Sequence, residues 1–168
     1  VLFHAVAGGV GLIACQWLKH LGAKIIGTAG TEEKAILAKQ NGCDEVILYK
    51  SENFVEKVKY LTNDTGVDVV YDGVGKDTAI LGLDCIKPLG TMVVFGNSSG
   101  NCPPIDPGLL ASKGSLFFTR PTLMTYGTKE KDLLHSSGRV FEMLATNKIK
   151  LEINTSYNLS DVAKAHTD

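Results

Sequence analysis

The sequence predicts an α/β protein built on a parallel sheet. Three observations carry that expectation. Short β-branched and aromatic runs alternate with helix-like segments along most of the chain. The runs are mostly apolar throughout, as suits strands buried on both faces. The helix-like segments between them are long enough for right-handed crossovers.

"VLFHAVA" is the first expected strand, and "GVGLIACQWLKHLG" the helix after it. "AKIIGTA" is the second strand. "TEEKAILAKQNG" follows as a helix, with Thr31 as a cap oxygen and Glu32 and Glu33 at the positive end of its dipole. "EVILYK" is a third strand and "SENFVEKVKYLTN" a helix; "VDVVYDGVG" is a fourth strand and "KDTAILGLDCIKPLG" a helix. "TMVVFGN" is the fifth strand, "NSSGNCPPIDPG" a linker and "GSLFFTRP" the sixth strand. Beyond Tyr126 a longer helix is expected from about Lys129 to Thr146, then "IKLEINTSYNL" and a helix that looks cut short. With no initial methionine and a first residue already in a strand, the chain reads as part of a longer protein.

Composition excludes several classes. Apolar residues make up 44% and charged residues 21% of the chain, with a formal net charge of −1. There is no basic run, so neither nucleic acid nor a membrane surface is an expected partner. The uncharged opening stretch contains Gly8-Gly9, His4 and Gln16 and lacks a basic flank. It reads as strand, turn and helix, not as a membrane span or signal peptide. Cys15, Cys43, Cys85 and Cys102 have neither zinc-knuckle nor CxxC spacing. Cys15 and Cys85 are expected in the core, and a reducing, cytoplasmic setting fits best.

Gly8, Gly9 and Gly11 stand where the first strand meets the first helix. Glycine there lets the backbone turn and approach a pyrophosphate, and the helix-start amides point at the anion. A bare strand–helix turn is the competing reading, because Val6 replaces the first glycine of GxGxxG. No GxxxxGK[ST] occurs, which removes a P-loop; no Tyr-x-x-x-Lys occurs, which argues against a short-chain dehydrogenase. A dinucleotide fold reading NAD, or a methyltransferase, would place an acid after the second strand. Here stand Ala29 and Gly30. An acid would repel a ribose 2′-phosphate; the glycine leaves room for one. Lys34 and Tyr49 fall on the same carboxyl edge and suit a phosphate, although a solvated helix lysine is the alternative for Lys34. Phe95, Gly96, Asn97 and Ser98 end the fifth strand, where amides and polar side chains could meet a nicotinamide or ribose; ordinary turn chemistry is the competing reading.

These residues resemble a family. "VLFHAVAGGVGLIACQWLKHLGAKIIGTAGTEEKA", "VVYDGVGKDT", "VVFGNSSG" and "GSLFFTRPTL" are similar to the NADPH-dependent quinone oxidoreductases, the zinc-free, zeta-crystallin-like branch of the medium-chain dehydrogenase/reductase superfamily. The likeness runs over nearly the whole chain, and "FGNSSG" followed by "TRP" is its most specific part. It implies a Rossmann-type doubly wound six-stranded parallel sheet, order 3-2-1-4-5-6, with NADPH as cofactor. Gly9 and Val10 would fall on the pyrophosphate turn, Gly30, Lys34 and Tyr49 on the 2′-phosphate site, and Phe95 to Ser98 on the nicotinamide side.

The expected function is the NADPH-binding domain of an enzyme reducing quinones or related enones. Residues 1–125 would form that domain, and 126–168 would return to a catalytic domain outside this chain. The chain alone is expected to be inactive, with no catalytic residue and no metal ligand assigned; Tyr71, Asp72 and His4 read as strand-end and core residues. An enoyl or acryloyl reductase, or a non-catalytic NADP-binding sensor or structural module, are the alternatives. The resemblance also implies a homodimer through the sixth-strand edge at Phe117 and Phe118, unless the segment after Tyr126 folds over it.

Overall fold

A computed structural model describes residues 1–153 and 155–168. In chain order the elements are β1 (Leu2–Phe3), α1 (Gly9–His20), β2 (Ile26–Ala29), α2 (Glu32–Gln40), β3 (Glu45–Leu48), α3 (Phe54–Leu61), β4 (Val67–Asp72) and α4 (Ala79–Gly82). A 3-10 turn at Leu83–Cys85 leads into β5 (Ile86–Val94), then α5 (Pro107–Ser112), β6 (Phe117–Thr119), α6 (Leu123–Tyr126) and α7 (Glu130–Ala145). After a second 3-10 turn at Leu159–Asp161 comes α8 (Val162–Ala165).

The six strands form one sheet in the order β3-β2-β1-β4-β5-β6, and every pairing is parallel. This is the doubly wound order that the family resemblance implied. The chain order reverses between β1 and β4, which opens a crevice at their carboxyl ends. Successive residues of β1 serve opposite faces. Leu2 joins Ile26, Ile47, Phe54, Val58, Val70 and Met92 in one core cluster. Phe3 joins Val6, Cys15, Ile25, Ala38 and Cys43 in the other, under α1 and α2. Burying each of the larger aliphatic side chains contributes about 1.5–3 kcal/mol.

The first strand is shorter than its sequence suggests. "VLFHAVA" has the composition of a strand, but the ladder stops at Phe3 because Ala5 takes a positive φ of 54°. The chain still runs between its neighbours: the His4 N–H donates to the Tyr71 carbonyl (3.0 Å) and the Val6 N–H to that of Thr28 (3.1 Å).

The fourth expected helix is also shorter. Only Ala79–Gly82 and one 3-10 turn are helical, and Ile86 already pairs with Val67. Pro88 has no amide to donate and Leu89 has φ 63°, so the segment enters β5 through an irregular register instead of continuing a helix. The linker carries the unexpected α5, whose Asp106 accepts from the Gly108 N–H (2.8 Å), with Pro107 in the first turn.

The segment beyond Tyr126 docks on α1, not on β6. Gln16 donates to the Lys150 carbonyl (3.1 Å) and accepts from its N–H (2.8 Å). The Arg139 guanidinium lies 5.7 Å from the centre of the Trp17 ring. Strand β6 stays at the sheet edge, with Phe117 62% exposed. Among the described residues no helix is long and apolar enough to cross a membrane.

Candidate dinucleotide site

Three loops converge on the carboxyl edge of the sheet. The first joins β1 to α1. Its Gly8 N–H donates back to the Ala5 carbonyl (2.9 Å), closing a tight turn. No described side chain caps α1, so the first-turn amides of Gly9, Val10 and Gly11 lie outside the helix's own ladder. A Cβ on Gly9 would meet nothing within 4 Å, whereas one on Gly11 would stand 2.6 Å from the Val6 carbonyl carbon. Gly11 therefore lets the helix pack on the strand end, and Gly9 and the exposed Val10 form the open lip.

The second loop follows β2. Thr31 caps α2 as expected, accepting from the Lys34 N–H (3.4 Å). Glu33 is held below the usual carboxylate range by its own backbone amide and by Thr31. A Cβ on Gly30 would stand 2.8 Å from the Tyr49 hydroxyl oxygen and 3.5 Å from Lys50 Cε. Gly30 and Tyr49 are thus brought together. Lys34 lies exposed one helical turn away. Sequence reasoning did not single out Lys50. It directly follows the tyrosine, and its charge type was the available signal.

The third region joins the loops after β4 and β5. Asp72 is fully buried and accepts from the N–H groups of Val74 (2.6 Å) and Gly75 (3.0 Å) and from Thr78 Oγ1 (2.7 Å). That is the strand-end role expected of it. The Gly96 N–H donates to the Asp72 carbonyl (3.3 Å) and the Ser98 N–H to the Gly73 carbonyl (3.2 Å). Both amides are thus committed within the protein, which narrows what this loop can offer a ligand. The Asn97 amide side chain is turned to Asn101 Oδ1 (3.1 Å). Phe95 packs its ring over Gly73 and against Phe3, with ring centroids 5.7 Å apart.

A groove of about 840 Å³ runs along this edge, lined by His4, Thr28, Tyr49, Phe54, Val74 and Ser98 among others. A second cleft, of about 570 Å³, lies beside Lys19, His20, Gln40 and Asn41 at the far ends of α1 and α2, away from these loops. His4 is buried in the groove wall. Its Nδ1 is 3.1 Å from Thr28 Oγ1, its ring meets Phe54 edge-on at 4.9 Å, and Nε2 has no partner among the described residues. Burial pushes its pKa down to about 4, against an upward pull from Asp72, so the imidazole is neutral at pH 7. Burial pushes the Cys85 thiol up to about 12. Cys15 is raised by its hydrogen bond to Cys43 and by burial. The four cysteines are free thiols.

Residues 9–133 match the family model described as zinc-binding dehydrogenase. The chain belongs to that family. Quinone oxidoreductase of Salmonella typhimurium is 49% identical over 98% of this chain and 51% of its own length. The 2-haloacrylate reductase of a Burkholderia species is 41% identical over 99% of this chain and 50% of its own. A crystal structure of Escherichia coli quinone oxidoreductase complexed with NADPH superposes with a TM-score of 0.92, at 48% identity, over 99% of this chain and 52% of that one. The chain spans about half the length of the curated relatives it matches. Despite the family's description, no group of three or more His, Cys, Asp or Glu among the described residues could hold a metal ion. The open space at Gly9 and the uncapped first-turn amides of α1 offer donors of the kind a phosphate takes.

Proposed function

We propose that residues 1–125 form the NADPH-binding domain of a quinone oxidoreductase and that residues 126–168 return towards a catalytic half. The observation that carries the cofactor choice is Gly30, an uncharged residue where an acid would repel a 2′-phosphate, with the Tyr49 phenol packed on it, Lys50 beside it and Lys34 one turn along. The Gly8, Gly9, Val10 and Gly11 turn would hold the pyrophosphate, with Phe95, Gly96, Asn97 and Ser98 on the nicotinamide side. The domain division is supported by the apolar side chains that α6 and α7 leave in solvent, Met124, Leu134 and Phe141 among them, and by relatives about twice as long.

When bound, NADPH would supply a hydride to a quinone or related enone. This chain's contribution is binding and orientation, with no acid, base or zinc ligand assigned. The likeness to a 2-haloacrylate reductase favours one second reading, the cofactor domain of a reductase for activated acrylates or enoyl compounds. A cytoplasmic setting accords with the free thiols, and a homodimer through β6 accords with its uncovered edge.

Turnover of the complete protein decides the substrate. NADPH oxidation driven by simple quinones, and slower with haloacrylates or enoyl thioesters, is expected; the reverse order would select the second reading. The 168-residue chain alone should bind NADPH yet barely oxidise it with a quinone.

A further inference from the structure

Ala5 holds a φ of 54°, a region that an alanine rarely occupies without restraint. The restraint comes from a buried pair. The Ala5 N–H donates to Thr28 Oγ1 at 3.2 Å, and the same oxygen lies 3.1 Å from His4 Nδ1. Thr28 and His4 are only 2% and 1% exposed.

The neighbours of the hydroxyl decide its bonding. Oγ1 accepts from Ala5, which leaves its own proton for His4 Nδ1, an arrangement that requires the neutral imidazole with its proton on Nε2. The Thr28 main chain completes the grip by accepting from the Val6 N–H at 3.1 Å.

Ala5 leads directly into the nucleotide turn. Its carbonyl takes the Gly8 N–H, and the Val6 carbonyl is the surface against which Gly11 seats α1. Changing Ala5 moves both contacts, and with them the first-turn amides.

We infer that His4 and Thr28 are positioning residues for the phosphates: their hydrogen bond clamps Ala5 in the left-handed conformation and so sets the aim of the Gly9–Gly11 amides. This rests on the dinucleotide reading above. It treats His4 as a working part of the site, not as core filling. It also explains why an alanine, without glycine's freedom, can stand at this turn.

The test uses the 168-residue chain, NADPH titrations and amide exchange followed by NMR. Thr28→Val removes the hydroxyl at nearly constant volume. It should weaken NADPH roughly tenfold, the scale of one hydrogen bond, speed exchange at Ala5, and mix the His4 tautomers in its nitrogen spectrum. Thr28→Ser, which keeps the hydroxyl, should restore all three. Ala5→Gly in the Thr28→Val background should recover most of the affinity, because glycine holds a positive φ without a clamp. Should Thr28→Val not fold, His4→Leu with and without Ala5→Gly makes the same comparison. Unchanged NADPH affinity in Thr28→Val, or a defect that Ala5→Gly leaves in place, would overturn the clamp. If the unmutated chain fails to bind NADPH, the dinucleotide reading falls, and the clamp is then judged on Ala5 exchange: unaltered protection in Thr28→Val overturns it too.

Discussion

Tyr49 lies over Gly30 so closely that a Cβ at position 30 would sit 2.8 Å from its hydroxyl oxygen. The tyrosine is 53% exposed, so it can swing away without unpacking the core. Gly30→Ala should therefore leave thermal stability almost unchanged while displacing the phenol and weakening NADPH about tenfold, the loss of one charge-assisted contact. A melting curve beside a fluorescence titration checks both parts. Equal losses of stability and affinity would mean that Gly30 serves packing.

Lys34 separates charge from helix stability. It is the third residue of α2 after the Thr31 cap, so Lys34→Glu creates the Thr-x-x-Glu pattern of a capping box. The variant should melt no lower than the unmutated protein. Its preference for NADPH over NADH should fall by roughly 1–3 kcal/mol, and the loss should shrink in high salt because the site is exposed. Lys50→Glu should act in the same direction. A preference retained in both variants would place the 2′-phosphate elsewhere.

Gly9 and Gly11 should respond oppositely to alanine. At Gly11 the new Cβ would meet Val6 backbone at 2.6 Å, and α1 must shift, costing about 1–3 kcal/mol of stability. At Gly9 the space is open, and the fold should tolerate the change. Urea unfolding of the two variants reads the difference directly. Similar destabilisation in both would contradict the packing described for the turn.

His4 predicts an acid limb in stability. Its folded pKa is depressed to about 4 from an ordinary 6.5, so between those values the unfolded chain binds a proton that the folded one refuses. Its contribution is full above pH 6.5 and is lost as pH falls towards 4, by up to about 3 kcal/mol. Unfolding free energies measured across that window should slope more gently in His4→Gln. An identical slope would show that other groups carry the acid limb.

Only one of the two β6 phenylalanines can test the edge. Phe117 faces out, but Phe118 packs against the buried cluster, so replacing it would disturb the fold. Phe117→Lys alone should abolish a dimer formed through β6, which sedimentation at several concentrations would detect. A dimer that persists in this variant lies on another surface.

The parallel α/β sheet was legible because apolar strand runs and helix-like segments alternate strongly enough to outweigh local detail; its strand order came from the family resemblance. The failures have local physical causes. At "VLFHAVA" composition speaks for a strand, but the left-handed Ala5 depends on Thr28, which lies far along the sequence. At "KDTAILGLDCIKPLG" helical spacing of apolar residues masked Pro88, which was the available stop signal. Asp106-Pro107 carried a readable cap and first turn for α5 and was absorbed into the linker. The nearness of Gly30 and Tyr49 was legible from their places at the carboxyl ends of neighbouring strands. The commitment of the Gly96 and Ser98 amides was not, since it depends on how two distant loops meet.

The measurement that bears most directly on the account is a paired titration of the purified chain with NADPH and NADH, followed by nucleotide fluorescence at low and high salt. An uncharged Gly30 under Tyr49, with Lys34 and Lys50 nearby, predicts tighter NADPH binding by roughly 1–3 kcal/mol, diminishing as salt rises. Equal affinities for the two nucleotides, or a preference for NADH, would contradict it.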